Sequence, residues 1–143
     1  MITVHFYEKP GCINNTRQKK RLIDAGCLLV IYDIVQQPWA KDKARLRSFF
    51  ADLPVAQWFN YSAPAIKNGD LIPERLSEAE AIERMVADPL LIRRPLLEVN
   101  GQRRAGFDSQ QIGLWLGLQL AEAAADLESC PQLQRRDAAD GRG

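Results

Sequence analysis

The sequence predicts an α/β domain in the order β-α-β, helical insert, β-β-α, with a mixed four-stranded sheet. Three observations carry that expectation. The chain opens with "ITVHFYE", a helix-forming stretch and "CLLVIYDI", a β-α-β unit that implies parallel pairing and a right-handed crossover. Towards the other end, "RPLLEV" and "QRRAGF" flank "NG", the strongest short hairpin signal. An apolar helix after Asp108 or Ser109 then closes the pattern.

Each element has its own local reason. "ITVHFYE" is β-branched and aromatic, which favours a strand, and "KPGC" punctuates it. From Asn14 to Ala25 the residues are helix formers with Leu22 and the stem of Lys19 on one side, and Gly26 supplies the stop. "CLLVIYDI" is a near-continuous apolar run, read as a buried central strand. After Pro38 the periodicity turns helical: Ala44, Leu46, Phe49 and Phe50 recur between Ala40 and Ala51, and "SEAE" from Ser77 gives an N-cap with acids in the first turn. Trp58 and Phe59 in "QWFNYSAP" read as insert core. In the last helix, Ile112, Trp115, Leu116, Leu120 and Ala123 form the apolar stripe. A parallel first pair, an antiparallel hairpin and a closing helix make a thioredoxin-like arrangement.

The 143 residues suffice for one domain with a real core. It is expected over residues 1–128, with the helical insert at about 38–88 and a disordered tail over 129–143. Nineteen basic against eighteen acidic residues leave a net charge of +1, which gives no reason to expect nucleic acid as a partner. No stretch approaches the roughly 18 apolar residues of a spanning helix, and the start lacks a signal-peptide layout, so no membrane association and a cytoplasmic location are expected. Three separated cysteines and a lone His5 fit neither a disulfide framework nor a zinc site, and no metal is expected.

Cys12 is the residue that carries chemistry. A thiol at the first turn of a helix faces unpaired N–H groups and the positive end of the helix dipole, and both favour thiolate. Lys9, Arg17 and Lys19 or Lys20 act in the same direction, and Glu8 acts against them. The alternative is a small residue that fits a tight turn. Cys27, after Gly26 at a strand start, reads as a small buried apolar residue. Cys130 reaches a site at Cys12 only if the tail folds back.

The stretches "FYEKPGCINNTRQKKRL" and "LIRRPLLEVNGQRRAGFD", with the insert between them, resemble the glutaredoxin-linked arsenate reductase family, and within it the nitrogenase-associated branch. The resemblance spans about residues 2–120. It implies a thioredoxin fold in which Cys12 is the nucleophile, glutathione is a co-substrate and glutaredoxin or nitrogenase-related proteins are partners. It also implies a cis Arg94–Pro95 peptide, with Pro95 supporting the site and Arg94 offering a planar fork to an oxyanion. Asn15, Thr16 and Arg17 fall in the substrate-binding first turn, where Asn15 is expected to donate to Cys12, and Arg103 or Arg104 falls near a further anion-binding arginine.

The chain departs from the reductases around that anion. They carry Ser-Arg where this chain has Asn15 and Thr16, and moving the arginine to Arg17 turns it by about 100° around the helix. They carry a histidine where this chain has Glu8, which should raise the thiol pKa. Their insert supplies an arginine where "FNYSAPAIK" offers only Lys67. Three lost charged hydrogen bonds of about 1–3 kcal/mol each would remove most arsenate affinity. The expected function is therefore a thiol-dependent oxidoreductase, associated with nitrogen fixation, that is not an efficient arsenate reductase. The alternative is a non-catalytic adaptor that uses "RQKKRL" or "QWFNYSAP" for protein contacts.

Overall fold

The computed structural model describes residues 1–120. Its sheet has the order β2-β1-β3-β4, with β1 (Thr3–Glu8) parallel to β2 (Leu28–Asp33), and β3 (Leu96–Val99) antiparallel to both β1 and β4 (Gln102–Ala105). Helix α1 (Ile13–Asp24) makes the crossover from β1 to β2, and α5 (Ser109–Leu116) follows β4. This is the mixed four-stranded α/β sheet expected from the sequence. The Asn100-Gly101 turn has φ of +51° and +79°, the doubly left-handed geometry that suits the twist of a two-residue hairpin.

Strand alternation divides the interior into two clusters. Val4 and Phe6 of β1 and Leu97 and Val99 of β3 face Leu22, Phe107 and Ile112 from α1 and the α5 side. Tyr7 and Leu96 face the opposite way, into the insert between β2 and β3. The insert holds α2 (Lys43–Ser48), α3 (Pro64–Lys67) and α4 (Glu78–Ala87), joined by single 3-10 turns. Its core includes Trp39, Phe49, Phe50, Trp58 and Phe59, and the burial of Trp58 and Phe59 takes both out of the partner face considered for "QWFNYSAP". Phe50 and Trp58 stack at 4.8 Å, and each buried indole N–H finds a carbonyl: Trp39 on Ile34 at 2.9 Å, Trp58 on Leu53 at 2.7 Å. Ser77 forms the full capping box with Glu80 at the start of α4, and the two hydrogen bonds from Ser77 hold the Glu80 carboxyl below its ordinary pKa.

The insert also fixes the segment that leads into Arg94. The Asn60 N–H donates to Leu91 O at 2.8 Å, and the Arg93 N–H donates to Trp58 O at 3.0 Å, on either side of a Phe59–Ile92 bridge. The position of Arg94 is thus coupled to packing around Trp58.

Three sequence readings need correction. β2 is not a buried central strand: it is the edge of the sheet, and Leu28, Val30 and Ile31 are exposed. Its apolar run resembles that of a central strand because period and composition do not report how many neighbours a strand has. Ala44 is exposed, since the insert turns through Trp39–Lys41 before α2 begins at Lys43. The last helix ends at Leu116, where Gly117 takes φ +70° and the Leu118 N–H donates back to Gly113 O, so the stripe does not continue along one helix to Leu120. Ala123 and Cys130 lie outside the described residues.

Candidate active site

The loop after β1 is a β-turn written directly into its sequence. The Cys12 N–H donates to Lys9 O at 3.1 Å, with Pro10 and Gly11 at the two central positions. Gly11 has φ +84°, so the turn has the Pro-then-Gly signature of type II. The turn delivers Cys12 as the N-cap residue of α1, with φ −74° and ψ 119° and no side-chain cap bond. Its carbonyl accepts the Thr16 N–H at 3.1 Å and the Thr16 hydroxyl at 3.2 Å. Cys12 is only 5% exposed, and its sulfur is disulfide-bonded.

Asn15 holds this loop from within the helix. Fully buried, it accepts the Lys9 N–H at 3.1 Å through Oδ1 and donates through Nδ2 to Gln18 Oε1 at 2.9 Å. Its amide is therefore used to strap the turn to α1, and the expected hydrogen bond from Asn15 to Cys12 is not formed. Asn14 and Gln18 are buried beside it.

The charges nearest the loop are partly neutralised by one another. Lys19 Nζ lies 2.6 Å from Glu8 Oε1 with both side chains largely covered, so Glu8 does not stand as an unbalanced negative charge near the thiol. The expected opposition between Glu8 and the α1 lysines becomes a single ion pair. Lys20 pairs with Asp24 at 2.8 Å on the exposed face, and Arg17 is exposed one step beyond Thr16.

Arg94 is the polar residue most exceptional in its burial. It is 6% exposed, its Nε has no hydrogen-bond partner among the described residues, and burial lowers its pKa from the ordinary value. The Arg94–Pro95 peptide is cis. The β1–β3 register pairs Tyr7 with Leu96. β1 ends at Glu8 and the antiparallel β3 begins at Leu96, so the turn from Lys9 to Cys12 and the Arg94–Pro95 peptide occupy one end of this strand pair. Cys12 and Arg94 thus lie at the same end of the sheet, in the segments that leave β1 and enter β3.

Arg103 and Arg104 do not converge in this way. They alternate along β4: Arg103 donates to Ser48 Oγ at 2.8 Å and lies over Phe49, whereas Arg104 lies 4.7 Å from the centre of the Trp115 ring. Arg103 Nε is 3.3 Å from Glu98 Oε1, an ion pair by distance in which the N–H is not aligned for a hydrogen bond. Both arginines tie the hairpin to its neighbours. Lys67 is exposed at the end of α3. Sequence reasoning missed the strap formed by Asn15 and Gln18; two amides three apart at the start of a helix were its only trace. Among the described residues, no group of three His, Cys, Asp or Glu is placed to hold a metal ion, and no helix is long and apolar enough to cross a membrane.

Comparison with known proteins agrees with this architecture. The profile of the ArsC family matches residues 7–114. The 15.7 kDa protein in the draG 3′ region of Rhodospirillum rubrum is 50% identical over 131 residues, covering 92% of this chain and 90% of that protein. YusI of Bacillus subtilis is 27% identical over 112 residues, 77% of this chain and 95% of that protein. Among solved structures, a possible arsenate reductase from Streptococcus mutans is 28% identical with a TM-score of 0.60, over 72% of this chain and 88% of that one. An arsenate reductase from Vibrio cholerae, 22% identical with a TM-score of 0.63 over 82% of this chain and 98% of that one, shares the fold.

Proposed function

Because the chain belongs to the ArsC family, we propose that it is a thiol-dependent oxidoreductase in which Cys12 is the nucleophile and Arg94 its anionic partner's counter-charge. The carrying observation is the buried Arg94 with its unpartnered Nε, at the sheet end that also presents the Cys12 turn. A buried cation without a partner is costly, and such groups concentrate where a ligand completes the pairing.

In the proposed cycle the Cys12 thiolate attacks one sulfur of a disulfide substrate, forming a mixed disulfide and releasing the other sulfur as thiolate. The thiolate of glutathione then attacks the Cys12 sulfur, forming a Cys12–glutathione disulfide and releasing the second substrate thiolate. Attack by a second glutathione restores the Cys12 thiolate and leaves glutathione disulfide. The α1 N-terminus stabilises the thiolate, Asn15 positions the turn, and Thr16 and Arg17 are the exposed polar residues of the first turn of α1. Arsenate is a poor substrate in this reading, because Thr16 and Lys67 stand where the resemblance places arginines that hold it, and Glu8 where it places a histidine that helps ionise the thiol. Arg103 and Arg104 serve as outer members of the site only if a ligand draws them from Glu98, Ser48 and Trp115.

The proposal includes a cytoplasmic role in nitrogen fixation, supported by the resemblance to nitrogenase-associated proteins and by the relative from the draG 3′ region. The experiment is turnover of hydroxyethyl disulfide and of arsenate by the pre-reduced full chain with glutathione. Disulfide reduction that disappears in Cys12→Ser, with arsenate reduction near background, is expected. Equal disulfide turnover by wild type and Cys12→Ser would refute the catalytic reading.

A further inference from the structure

The two outer strands of the sheet are built differently. β4 carries Arg103 and Arg104, the kind of charge that discourages pairing with another chain. β2, the other edge, has no charged side chain from Cys27 to Tyr32 and no proline. Leu28 is 52% exposed, Val30 36% and Ile31 43%, and Ile23 at the end of α1 adds another exposed apolar side chain at 58%.

The backbone along this edge has a defined phase. The Leu28 N–H donates to Ile2 O at 2.8 Å, so Leu28 turns its backbone groups towards β1. In a parallel pair, alternate residues direct both N–H and C=O to the same neighbour. Val30 and Tyr32 therefore share the Leu28 orientation, and Leu29 and Ile31 direct their N–H and C=O outward. No strand covers them among the described residues.

We propose that β2 is a self-association surface that pairs antiparallel with β2 of a second copy across a two-fold axis at Val30. In that register, Leu29 exchanges two hydrogen bonds with the partner's Ile31, and Ile31 does the same with the partner's Leu29. Val30 faces the partner's Val30, and Leu28 faces the partner's Tyr32, so apolar side chains meet apolar side chains from Leu28 to Tyr32. The occupant is a second copy because Leu28–Tyr32 carries no charge and, about a two-fold at Val30, no charged residue of β2 meets its like: Asp33 at the strand end falls opposite the partner's Cys27. The product is one continuous eight-stranded sheet with an isologous interface. This surface lies on β2, and the inference is independent of the thiol chemistry.

Sedimentation equilibrium of the full chain, from about 1 µM to several hundred µM, tests it. A species of twice the chain mass is expected at the upper end, and Val30→Lys, which sets two ammonium groups face to face, should reduce association at least about tenfold. Val30→Glu should do the same, and mixing the Lys and Glu chains should restore the dimer, because only at the two-fold do the two residues meet. Gln102→Lys, on the other edge, should have no effect. Amide exchange supplies a second readout: Leu29 and Ile31 should become protected with concentration, whereas Leu28 is protected throughout. A single-chain mass at every concentration would overturn the proposal, as would a dimer indifferent to Val30→Lys. Protected Leu29 and Ile31 amides in a monomer would also overturn it, since the chain itself would then cover the edge.

Discussion

Cys12 and Cys27 form a natural pair for comparison. Each follows a glycine with positive φ, +84° at Gly11 and +95° at Gly26, and each is nearly buried, at 5% and 7% exposure. Their surroundings diverge. Cys12 begins a helix and is disulfide-bonded; Cys27 precedes β2, packs in the cluster with Leu22 and Phe107, and is a free thiol. Burial raises the Cys27 pKa by desolvation, making it less nucleophilic at neutral pH. Burial alone therefore says little about a cysteine. What distinguishes the two is the presence of a helix start and a buried arginine at the same sheet end.

The largest test of that distinction is substitution. Cys12→Ser should lower thiol-dependent turnover by orders of magnitude, whereas Cys27→Ala should leave it within about twofold, since Cys27 touches only core. Comparable losses in both variants, measured with unchanged circular dichroism, would erase the contrast. Arg94→Met should separate function from stability. It removes an unpartnered buried cation, so denaturant unfolding should show unchanged or increased stability, by up to about 1–3 kcal/mol, while turnover falls.

Asn15→Ala acts one step further out. It leaves the Lys9 N–H without its acceptor and removes the bond to Gln18 Oε1, which should cost about 1–3 kcal/mol in urea unfolding and loosen the turn that presents Cys12. The smaller effect belongs to the glycines. Gly11→Ala has open space for a Cβ but not the backbone conformation, so it should cost about 1–2 kcal/mol, and Gly26→Ala about the same. Only the Gly11 variant should also slow turnover.

The pH dependence of stability has a fixed sign for Cys27. Its pKa is raised on folding above an ordinary value near 9.0. The contribution is present below that value and is lost as pH rises through the folded pKa, because the unfolded thiol ionises first. Unfolding curves at successive pH values above 9 should show a decline that Cys27→Ala reduces.

Local chemistry in the sequence was a good guide wherever one short stretch determined one feature. "KPGC" prescribes its turn, "NG" its hairpin, and Ser77 with Glu80 its capping box. It was a poor guide where the outcome depended on neighbours far along the chain. "CLLVIYDI" does not encode whether a second strand lies beside it. Asn15 looked like a group for the substrate because its partner, the Lys9 N–H, becomes available only once the turn has closed. Glu8 looked like an uncompensated charge because the helical spacing that brings Lys19 to 2.6 Å is not evident from their separation in sequence. Arg94 is singled out only by the family resemblance, and neither its burial nor its unpartnered Nε is evident from the sequence.

The central claim is that the α1 start and Arg94 make the Cys12 sulfur a stabilised thiolate. The direct measurement is the rate of Cys12 alkylation against pH in the reduced Cys27→Ala chain, followed by mass spectrometry at the Cys12 peptide. The account predicts an inflection clearly below the roughly 8.5 of free cysteine, moving upward in Arg94→Met. An inflection at or above that value, unmoved by Arg94→Met, would contradict it.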